Sequence, residues 1–453
     1  MFTLDRETLL TPQLVIRFIQ RHLSECSRLQ KLADYYNGRH GIEDRSKRSM
    51  LANNRVVCNH AKYISDLSTG YLLGNPVSYA GAHLEQLLDW YRKAEIPVRD
   101  MDIGKDCSVF GRGYELIYLS AEESPAPRSA VFDPRNAFVV YDDTVEHLPL
   151  FGCCYYPLFQ EDGILYGYAC CYYTKSTAYH CRISTGFSLE GEAQEQPHPF
   201  GAVPLIEYSN NEEQQGDFEQ VITLIDAYNM LQSDRVNDKQ QFVEAILLLQ
   251  GATLGDDDKE KSETYQSIRK YGMMEIDPDA KASWLTRTFD ESSVEILRRS
   301  LEQDIHKFSG VPCMTDENFS GNASGVAMRY KLLGFEQVTK IKERYFTDGL
   351  KKRLRLFANI MAAKGMPKID PDAVEITFTR SLPVNEPELA QVVSTLNGIV
   401  SEETLLGLLP FVKDPAGEQK KLKAEQQENI RNQQQMFGMT LNEPPQEQDD
   451  ETQ

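Results

Sequence analysis

Apolar residues recur at spacings of three and four late in the chain, and they predict an amphipathic helix over residues 290–309. Ser292 and Glu295 have the spacing of a capping box at the start of this helix. Gly310 and Pro312 follow its last turn, and neither residue favours a longer helix. The apolar face that the pattern predicts consists of Val294, Leu297, Leu301, Ile305 and Phe308.

The same spacing predicts a second, much longer helix that begins at Val326 and stops at Gly365. At about 1.5 Å per residue it would extend on the order of 60 Å, roughly twice the diameter of a small domain. Gly334 and Gly349 lie inside this helix and are candidate bends. A helix of this length is typical of a subunit that spans a large assembly. Its apolar positions are Tyr330, Leu333, Val338, Ile341, Tyr345, Leu350, Leu354, Phe357 and Met361.

The gap between these two helices consists of small residues and turn formers around a single aromatic residue. This composition predicts a loop that bends or moves. The residues of the loop are Asn318, Phe319, Ser320, Gly321, Asn322, Ala323, Ser324 and Gly325.

The first 216 residues combine helical and strand patterns, which predicts an α+β domain. Thr11 and Pro12 predict the start of a helix that closes at Asn37, and Asn59 predicts the start of another. Two further helices are expected over 82–96 and 99–110. Antiparallel strands are expected over 137–141, 150–159, 166–173 and 176–184.

A second long helical pattern covers residues 217–249 and has a polar centre at 233–240. We expect this polar centre to be partly wet or to face other subunits. The insertion that follows, residues 251–289, combines a charged stretch at 256–263 with a strand-like run at 273–276. Because helical patterns flank the insertion, we expect it to project from one end of the molecule.

After the long helix, the pattern predicts a short strand over 373–379 and a helical region over 387–409. A break in that helical region is expected at Asn397 and Gly398. The tail from residue 425 is rich in Gln, Glu, Asn and Asp, a composition that cannot bury a core. We expect its last residues to be disordered.

The formal net charge of −20 and the isoelectric point of 4.9 argue against tight wrapping by nucleic acid, which needs clustered Lys and Arg. They are compatible with DNA that slides past without adhering. The N-terminus lacks the basic start and apolar core of a signal peptide, and no apolar run has the length of a membrane span. We therefore expect a soluble protein of a reducing compartment, where its nine cysteines stay reduced.

No arrangement of residues predicts a catalytic, cofactor or metal site. The pairs Cys153-Cys154 and Cys170-Cys171 lie in strand patterns, where adjacent side chains face opposite sides and cannot easily bind one ion. Gly111 and Gly113 follow a helix and precede a strand, the reverse of the nucleotide-binding order, which favours a structural turn. The acidic run 256–258 favours a solvated surface over a Mg²⁺ site. From these residues alone, an oligomeric scaffold or adaptor and a metal-dependent enzyme stay open as alternatives.

Several short motifs follow one another in a specific order from about residue 30 to about residue 420. They are Tyr35-Tyr36-Asn37-Gly38, Asn53-Asn54-Arg55-Val56-Val57-Cys58-Asn59, Gly70-Tyr71-Leu72-Leu73-Gly74-Asn75-Pro76-Val77, Phe110-Gly111-Arg112-Gly113-Tyr114-Glu115, Leu224-Ile225-Asp226-Ala227-Tyr228-Asn229 and Ser320-Gly321-Asn322-Ala323-Ser324-Gly325-Val326-Ala327. In this order and spacing the chain resembles the portal proteins of tailed bacteriophages, in the family of the portal of Bacillus phage SPP1.

The resemblance implies an α+β portal fold with an α/β wing, a helical stem, a small α/β clip, a long wing helix and a helical crown. It implies a ring of about twelve subunits around a channel at one capsid vertex. Double-stranded DNA would be packaged, retained and ejected through this channel without sequence-specific contacts. The other implied partners are the terminase motor, head completion or adaptor proteins, and the major capsid and scaffolding proteins. The implied location is the portal vertex of the virion, and the host cytoplasm during assembly, with no membrane, cofactor or enzymatic activity.

The resemblance also assigns a part of the portal to each range of this chain. The ranges are 1–216 (wing), 217–250 (wing-to-stem helix), 251–289 (clip), 290–309 (second stem helix), 310–325 (tunnel-loop region), 326–383 (long wing helix and strand), 384–425 (crown) and 426–453 (polar tail). The candidates to face the channel are Lys331, Lys340 and Lys342. The candidate clip residues are Asp256, Asp257, Lys259, Met273 and Met274.

Overall fold

A computed structural model describes most of the chain. It covers residues 2–46, 52–121, 125–243, 246–250, 257–271, 280–285, 291–314, 325–380, 386–409, 412 and 417–427. The chain divides into two compact units. The first consists of Met1–Phe319 with Leu332–Ser381, and the second consists of Ser320–Lys331 with Leu382–Gln453.

The first unit combines helices with strands. The helices are α1 (Pro12–Tyr36), α2 (His60–Leu73), α3 (Glu85–Lys93), α4 (Ile96–Phe110), α5 (Ile222–Val243), α6 (Asp258–Tyr271), α7 (Glu291–Ser309) and α8 (Gly325–Ala363), of which α8 begins in the second unit. The side chain of Thr11 accepts the N–H of Leu14 at the start of α1, and Asn59 accepts the N–H of Lys62 at the start of α2. Both predicted helix starts are therefore confirmed.

The strands of the first unit form several small sheets. They are β1 (Phe2–Leu4), β2 (Ser78–Ala80), β3 (Arg112–Leu119), β4 (Pro127–Phe132), β5 (Ala137–Asp142), β6 (Pro149–Phe159), β7 (Leu165–Tyr173), β8 (Thr177–Ser184), β9 (Leu189–Pro197), β10 (Leu205–Ser209), β11 (Ile246–Gln250), β12 (Lys281–Leu285) and β13 (Glu375–Thr377). A six-stranded sheet has the order β1-β5-β6-β7-β8-β9, and a three-stranded sheet has the order β10-β3-β4. The predicted antiparallel strands β5 to β8 are confirmed, whereas the parallel strand β1 and the edge strand β9 were not predicted.

The six-stranded sheet has a buried core on each face. Cys153 and Cys170 pack with residues of α1 such as Phe18 on one face, and Cys154 packs with Leu205 on the other. Adjacent cysteines therefore face opposite sides of the sheet, as the strand pattern predicts. The Sγ atoms of Cys153 and Cys170 lie 3.6 Å apart as buried free thiols.

The insertion between α5 and α7 differs from the expected continuation of a helix to residue 249. Helix α5 ends at Val243, and Ile246–Gln250 instead forms strand β11, which pairs in antiparallel register with Lys281–Leu285. A short apolar run such as Ile-Leu-Leu-Leu fits a buried helix and a strand equally well, so its periodicity gives no distinction. The charged stretch before β12 forms helix α6.

Helix α8 is continuous over 39 residues, from Gly325 to Ala363. An added Cβ at Gly349 would lie 2.2 Å from the ring of Tyr208, so this glycine permits close packing of the helix on β10. Gly334 has open space around its Cα. A bend at either glycine stays a prediction. Gly365 beyond the helix adopts the left-handed conformation with φ 70°.

A fully buried ion-pair network joins α8 to the rest of the first unit. Arg353 Nε lies 2.9 Å from both carboxylate oxygens of Glu115 on β3, and Nη1 lies 2.7 Å from Asp100 on α4. Glu115 also accepts hydrogen bonds from Tyr208 (2.6 Å) and Ser129 (2.5 Å). Burial, opposed by the Arg353 guanidinium, raises the pKa of Asp100 to about 6. This network sets the position of the long helix on the sheet.

The second unit contains α9 (Glu386–Leu396), α10 (Glu402–Gly407) and a helical stretch over residues 417–427. The Ser401 hydroxyl caps α10 by accepting the N–H of Thr404. Gly398 has φ 84° between α9 and α10, which confirms the predicted break in this helical region.

We expect opposite effects from alanine at the two internal glycines of α8. Gly334→Ala should raise the free energy of unfolding by up to about 1 kcal/mol, because alanine favours a helix and meets no neighbour. Gly349→Ala should lower it by about 1–3 kcal/mol, because the added methyl group displaces Tyr208. Urea unfolding followed by circular dichroism measures both. Equal stabilisation by the two variants would disprove the tight contact at Gly349.

The raised pKa of Asp100 predicts a pH-dependent difference between the wild type and Asp100→Asn. A carboxyl with a higher pKa in the folded state binds its proton on folding, so its contribution to stability is lost as the pH rises from 4 to about 6. The stability advantage of the wild type over Asp100→Asn should therefore be larger at pH 5.5 than at pH 7.5. Urea titrations at both pH values test this, and an advantage that grows with pH would contradict it.

Candidate subunit interface

The polar centre of α5 binds another part of the same chain. Three side chains at four-residue intervals accept every second backbone N–H of the segment 54–58. The bonds join Asn54 N–H to Asn237 (2.6 Å), Val56 N–H to Ser233 (2.9 Å) and Cys58 N–H to Asn229 (2.8 Å). We call this arrangement the side-chain ladder. Its three donors on successive alternate residues indicate an extended segment that lies along the helix.

The side-chain ladder can form because helix α5 and the extended segment 54–58 advance by similar distances between successive bonds. Four residues of a helix rise about 6 Å, and two residues of an extended chain rise about 6.6 Å. The three ladder residues of α5 are at most 1% exposed. The expectation that the polar centre is wet or faces other subunits is therefore wrong for Ser233 and Asn237, because the motif Asn53 to Asn59 covers them.

Ion pairs join α5 to α7. The charged positions of α7 at Glu291, Glu295 and Arg298 lie on one stripe of the helix, and this stripe faces α5. Their contacts on α5 are Lys239, Arg235 and the hydroxyl of Tyr228, respectively. Hydrogen bonds from Arg298 and Arg299 lower the pKa of Glu295 to about 2. Because arginines bind its carboxylate, Glu295 takes part in these ion pairs, and the predicted capping box with Ser292 stays a prediction.

The apolar face predicted for α7 lies beside this charged stripe and is only partly covered. Ile305 is buried, and Val294 and Leu301 are half-buried. Leu297 and Phe308 are 50% and 58% exposed. The chain therefore buries one edge of the face and leaves the other exposed, because charged residues occupy the contact with α5.

A second exposed apolar patch lies on α5, away from the ladder. Met230 is 51% exposed, and Ala227 is exposed one turn earlier on the same stripe. Tyr228 on α5 contacts Arg298 on α7, so Met230 and Leu297 lie at the same level of the helix pair. The pair α5–α7 thus has one apolar patch on each helix, at matching height.

The chain that leaves α7 is attached to α2. His306 Nδ1 donates to the carbonyl of Val311 (3.0 Å), and the hydroxyl of Tyr63 donates to the carbonyl of Pro312 (3.2 Å). The same hydroxyl accepts the N–H of Met314 at 2.8 Å. Burial, with the neighbouring His306, lowers the pKa of His60 to about 4, so this junction is uncharged at neutral pH. Residues 311–314 are thereby fixed to the first unit.

The candidate channel lysines have different environments. Lys342 is only 8% exposed and its ammonium group contacts the carboxylate of Asp217. Lys342 therefore cannot face a channel, and the expectation is wrong because buried Thr339 and Lys342 continue the stripe of α8 that packs inward. Lys340 is exposed in the first unit, and Lys331 is exposed in the second.

The clip candidates are only partly covered by the described residues. Asp257 accepts the N–H groups of Lys259 (2.9 Å) and Glu260 (2.8 Å), so its carboxylate caps α6. Asp257 and Lys259 are exposed. Asp256, Met273 and Met274 lie outside the described residues, as do Asn318, Phe319, Ser320, Gly321, Asn322, Ala323 and Ser324 of the predicted loop. Gly325 is the first residue of α8.

The other sequence candidates have structural roles. Gly111 ends α4 with φ 84°, and an added Cβ there would lie 2.0 Å from the carbonyl oxygen of Gln214. This confirms a structural turn. Within the described ranges, no three His, Cys, Asp or Glu side chains are arranged to hold a metal ion. Among the helices in those ranges, none has both the length and the apolar character of a membrane span.

Comparison with known proteins gives a consistent relationship. A family model described as phage portal protein, SPP1 Gp6-like, matches residues 17–432. The portal protein of Bacillus phage SPP1 is 24% identical over 433 residues, which cover 91% of this chain and 84% of that protein. The portal protein of Clostridium phage phiCD119 is 25% identical over 222 residues, which cover 48% of this chain and 47% of that protein.

Among solved structures, the neck of an empty gene transfer agent particle aligns with a TM-score of 0.43 and 12% identity, over 77% of this chain and 89% of that chain. The assignment rests on the family model, because it covers most of the sequence. It includes the motifs from residue 35 to residue 327 that carry the resemblance. The chain therefore belongs to the SPP1 Gp6-like family of phage portal proteins.

Proposed function

We propose that copies of this chain form a closed ring with a central channel, through which double-stranded DNA is packaged, retained and ejected at one vertex of a phage capsid. The observation that supports this most directly is the pair of exposed apolar patches on α5 and α7, in a chain that belongs to the portal family. A ring needs two different complementary surfaces on each subunit, because each subunit contacts one neighbour on each side.

The two patches meet this requirement. The α7 patch of one copy, with Leu297 and Phe308, would pack on the α5 patch of the next, with Ala227 and Met230. Full burial of one leucine side chain contributes about 1.5–3 kcal/mol. The same contact is repeated at each subunit boundary of a closed ring, so every neighbouring pair gains this contribution.

The electrostatics of the chain fit a polymer that moves through the ring. A net charge of −20 on each copy repels phosphate and opposes tight adhesion of DNA. Of the three candidate lysines, Lys340 has the exposure that contact with DNA requires within the first unit. We propose no enzymatic role, and the family is one of structural proteins.

The other assignments follow from the family alone. We propose that residues 251–289 form the clip that binds terminase and later head completion proteins. Residues 310–325 would include the tunnel loop, with residues 1–216 in the wing and 384–425 in the crown. The capsid and scaffolding proteins would contact the ring at the portal vertex of the virion, after assembly in the host cytoplasm.

We expect Leu297→Asp to prevent ring formation without unfolding the subunit. A carboxylate in the proposed apolar contact would be buried without a partner, which opposes association. Light scattering and negative-stain electron microscopy should give rings with a mass near twelve copies of 51.6 kDa for the wild type and smaller species for the variant.

Ile164→Asp is the matched control, because Ile164 is 61% exposed in the turn between β6 and β7, away from α7. This control should form normal rings. Intact rings of Leu297→Asp would disprove the proposed interface. A wild type that forms only small oligomers or filaments without a hole would favour an adaptor or scaffold over a channel.

The level of the two patches predicts a specific cross-link. The double variant Met230→Cys, Leu297→Cys should give covalent dimers and larger oligomers under mild oxidation, seen on a non-reducing gel. Each copy supplies one cysteine to each of its two neighbours. The two single variants are the controls. Any cross-link formed through the nine native cysteines would also appear in them. Rings whose double variant gives no more product than the single variants would show that neighbours meet through other surfaces.

A further inference from the structure

A small cavity lies where α2, α4 and α8 meet the end of β10 and the residue after it. Its polar lining comes from Ser68 and Thr69 on α2, Ser108 on α4, Asn210 after β10 and Lys342 on α8. The cavity has room for about one water molecule. Apolar residues such as Leu72 and Phe346 form the rest of its walls. A space of this size with several polar side chains in its walls can hold an internal water.

Two hydroxyl groups at this cavity lack partners. Ser68 and Thr69 are 3% and 7% exposed, and neither Ser68 Oγ nor Thr69 Oγ1 has a hydrogen-bond partner among the described atoms. A buried hydroxyl without a partner costs about 1–3 kcal/mol. An occupant that forms hydrogen bonds with both would remove this cost.

The lysine at the cavity supplies a donor. The Lys342 ammonium contacts Asp217, whose carboxylate also accepts hydrogen bonds from Ser108 (2.6 Å) and Asn210 (2.8 Å). An ammonium group has three N–H donors, and the described contact with Asp217 uses one of them. The cavity therefore combines a cationic donor with two hydroxyl acceptors, which is what one water molecule bridges.

We propose that a single ordered water occupies this cavity. It accepts a hydrogen bond from Lys342 Nζ and donates to the hydroxyl oxygens of Ser68 and Thr69. The water thereby connects α2, which carries the motif from Gly70 to Val77, to the long helix α8. This site is independent of the proposed ring, because none of its lining residues belongs to the α5 patch or the α7 patch.

Two single variants of the full chain, Ser68→Ala and Thr69→Val, test the site. The matched control is Ser65→Ala. Ser65 Oγ is also buried without a partner on α2, but Ser65 does not line the cavity. Ser65→Ala removes a buried hydroxyl without a partner, so its thermal midpoint should equal or exceed that of the wild type. Ser68→Ala and Thr69→Val remove a partner of the water, so their midpoints should be lower than that of Ser65→Ala by about 2 °C or more.

Equal thermal midpoints of Ser65→Ala and Ser68→Ala would overturn the proposal. Alanine has the same helix preference at both positions, so only the water contact distinguishes them. A structure at about 2 Å resolution provides the second measurement. Density within hydrogen-bond distance of Lys342 Nζ and of the Ser68 and Thr69 hydroxyls supports the water. An empty cavity at that resolution refutes it.

Discussion

The burial of the Arg353 guanidinium is the constraint on which the arrangement of the first unit depends. A charge with no exposed surface is tolerated only with close partners, and Asp100 on α4 and Glu115 on β3 supply them. Helix α8 therefore has one allowed position along the sheet, since a shift of one residue would leave a buried charge unpaired. The close approach of Gly349 to Tyr208 fixes the same position sterically.

Polar contacts also attach the helices that would form the stem. The ladder holds α5 through amide and hydroxyl groups, and ion pairs hold α7 through Glu291 and Glu295. These contacts are made inside the chain, while Leu297 and Met230 point away from it. Single exposed apolar side chains are common on protein surfaces, but here two apolar patches lie at matching height on two paired helices. Polar contacts inside the chain and apolar patches on its surface are what we expect if a neighbouring copy covers the apolar patches.

Periodicity alone was enough to predict the helices α1, α2 and α8 and the strands β5 to β8, because each has a long, regular pattern and clear end signals. It gave the buried face of the second half of α8 correctly, with Leu350, Leu354, Phe357 and Met361. It failed in the first half, where Tyr330, Leu333 and Ile341 are exposed and the inward stripe includes the polar residues Thr339 and Lys342. The ladder was not predictable, because its acceptors on α5 and its donors near residue 56 are far apart in sequence. For α7 the apolar face was predicted from its spacing, but that spacing gave no sign that Leu297 and Phe308 would be exposed while Ile305 is buried.

The side-chain ladder has a mechanical consequence. Its three hydrogen bonds lie side by side along α5, so a pull along the helix axis loads all of them in shear at the same time. A pull across the axis would instead load them one after another and peel the segment away. If α5 lies along the channel, thrust on the passing DNA would act on this joint in its stronger direction. The joint between α5 and the segment 54–58 would then resist axial strain while it remains easier to bend sideways.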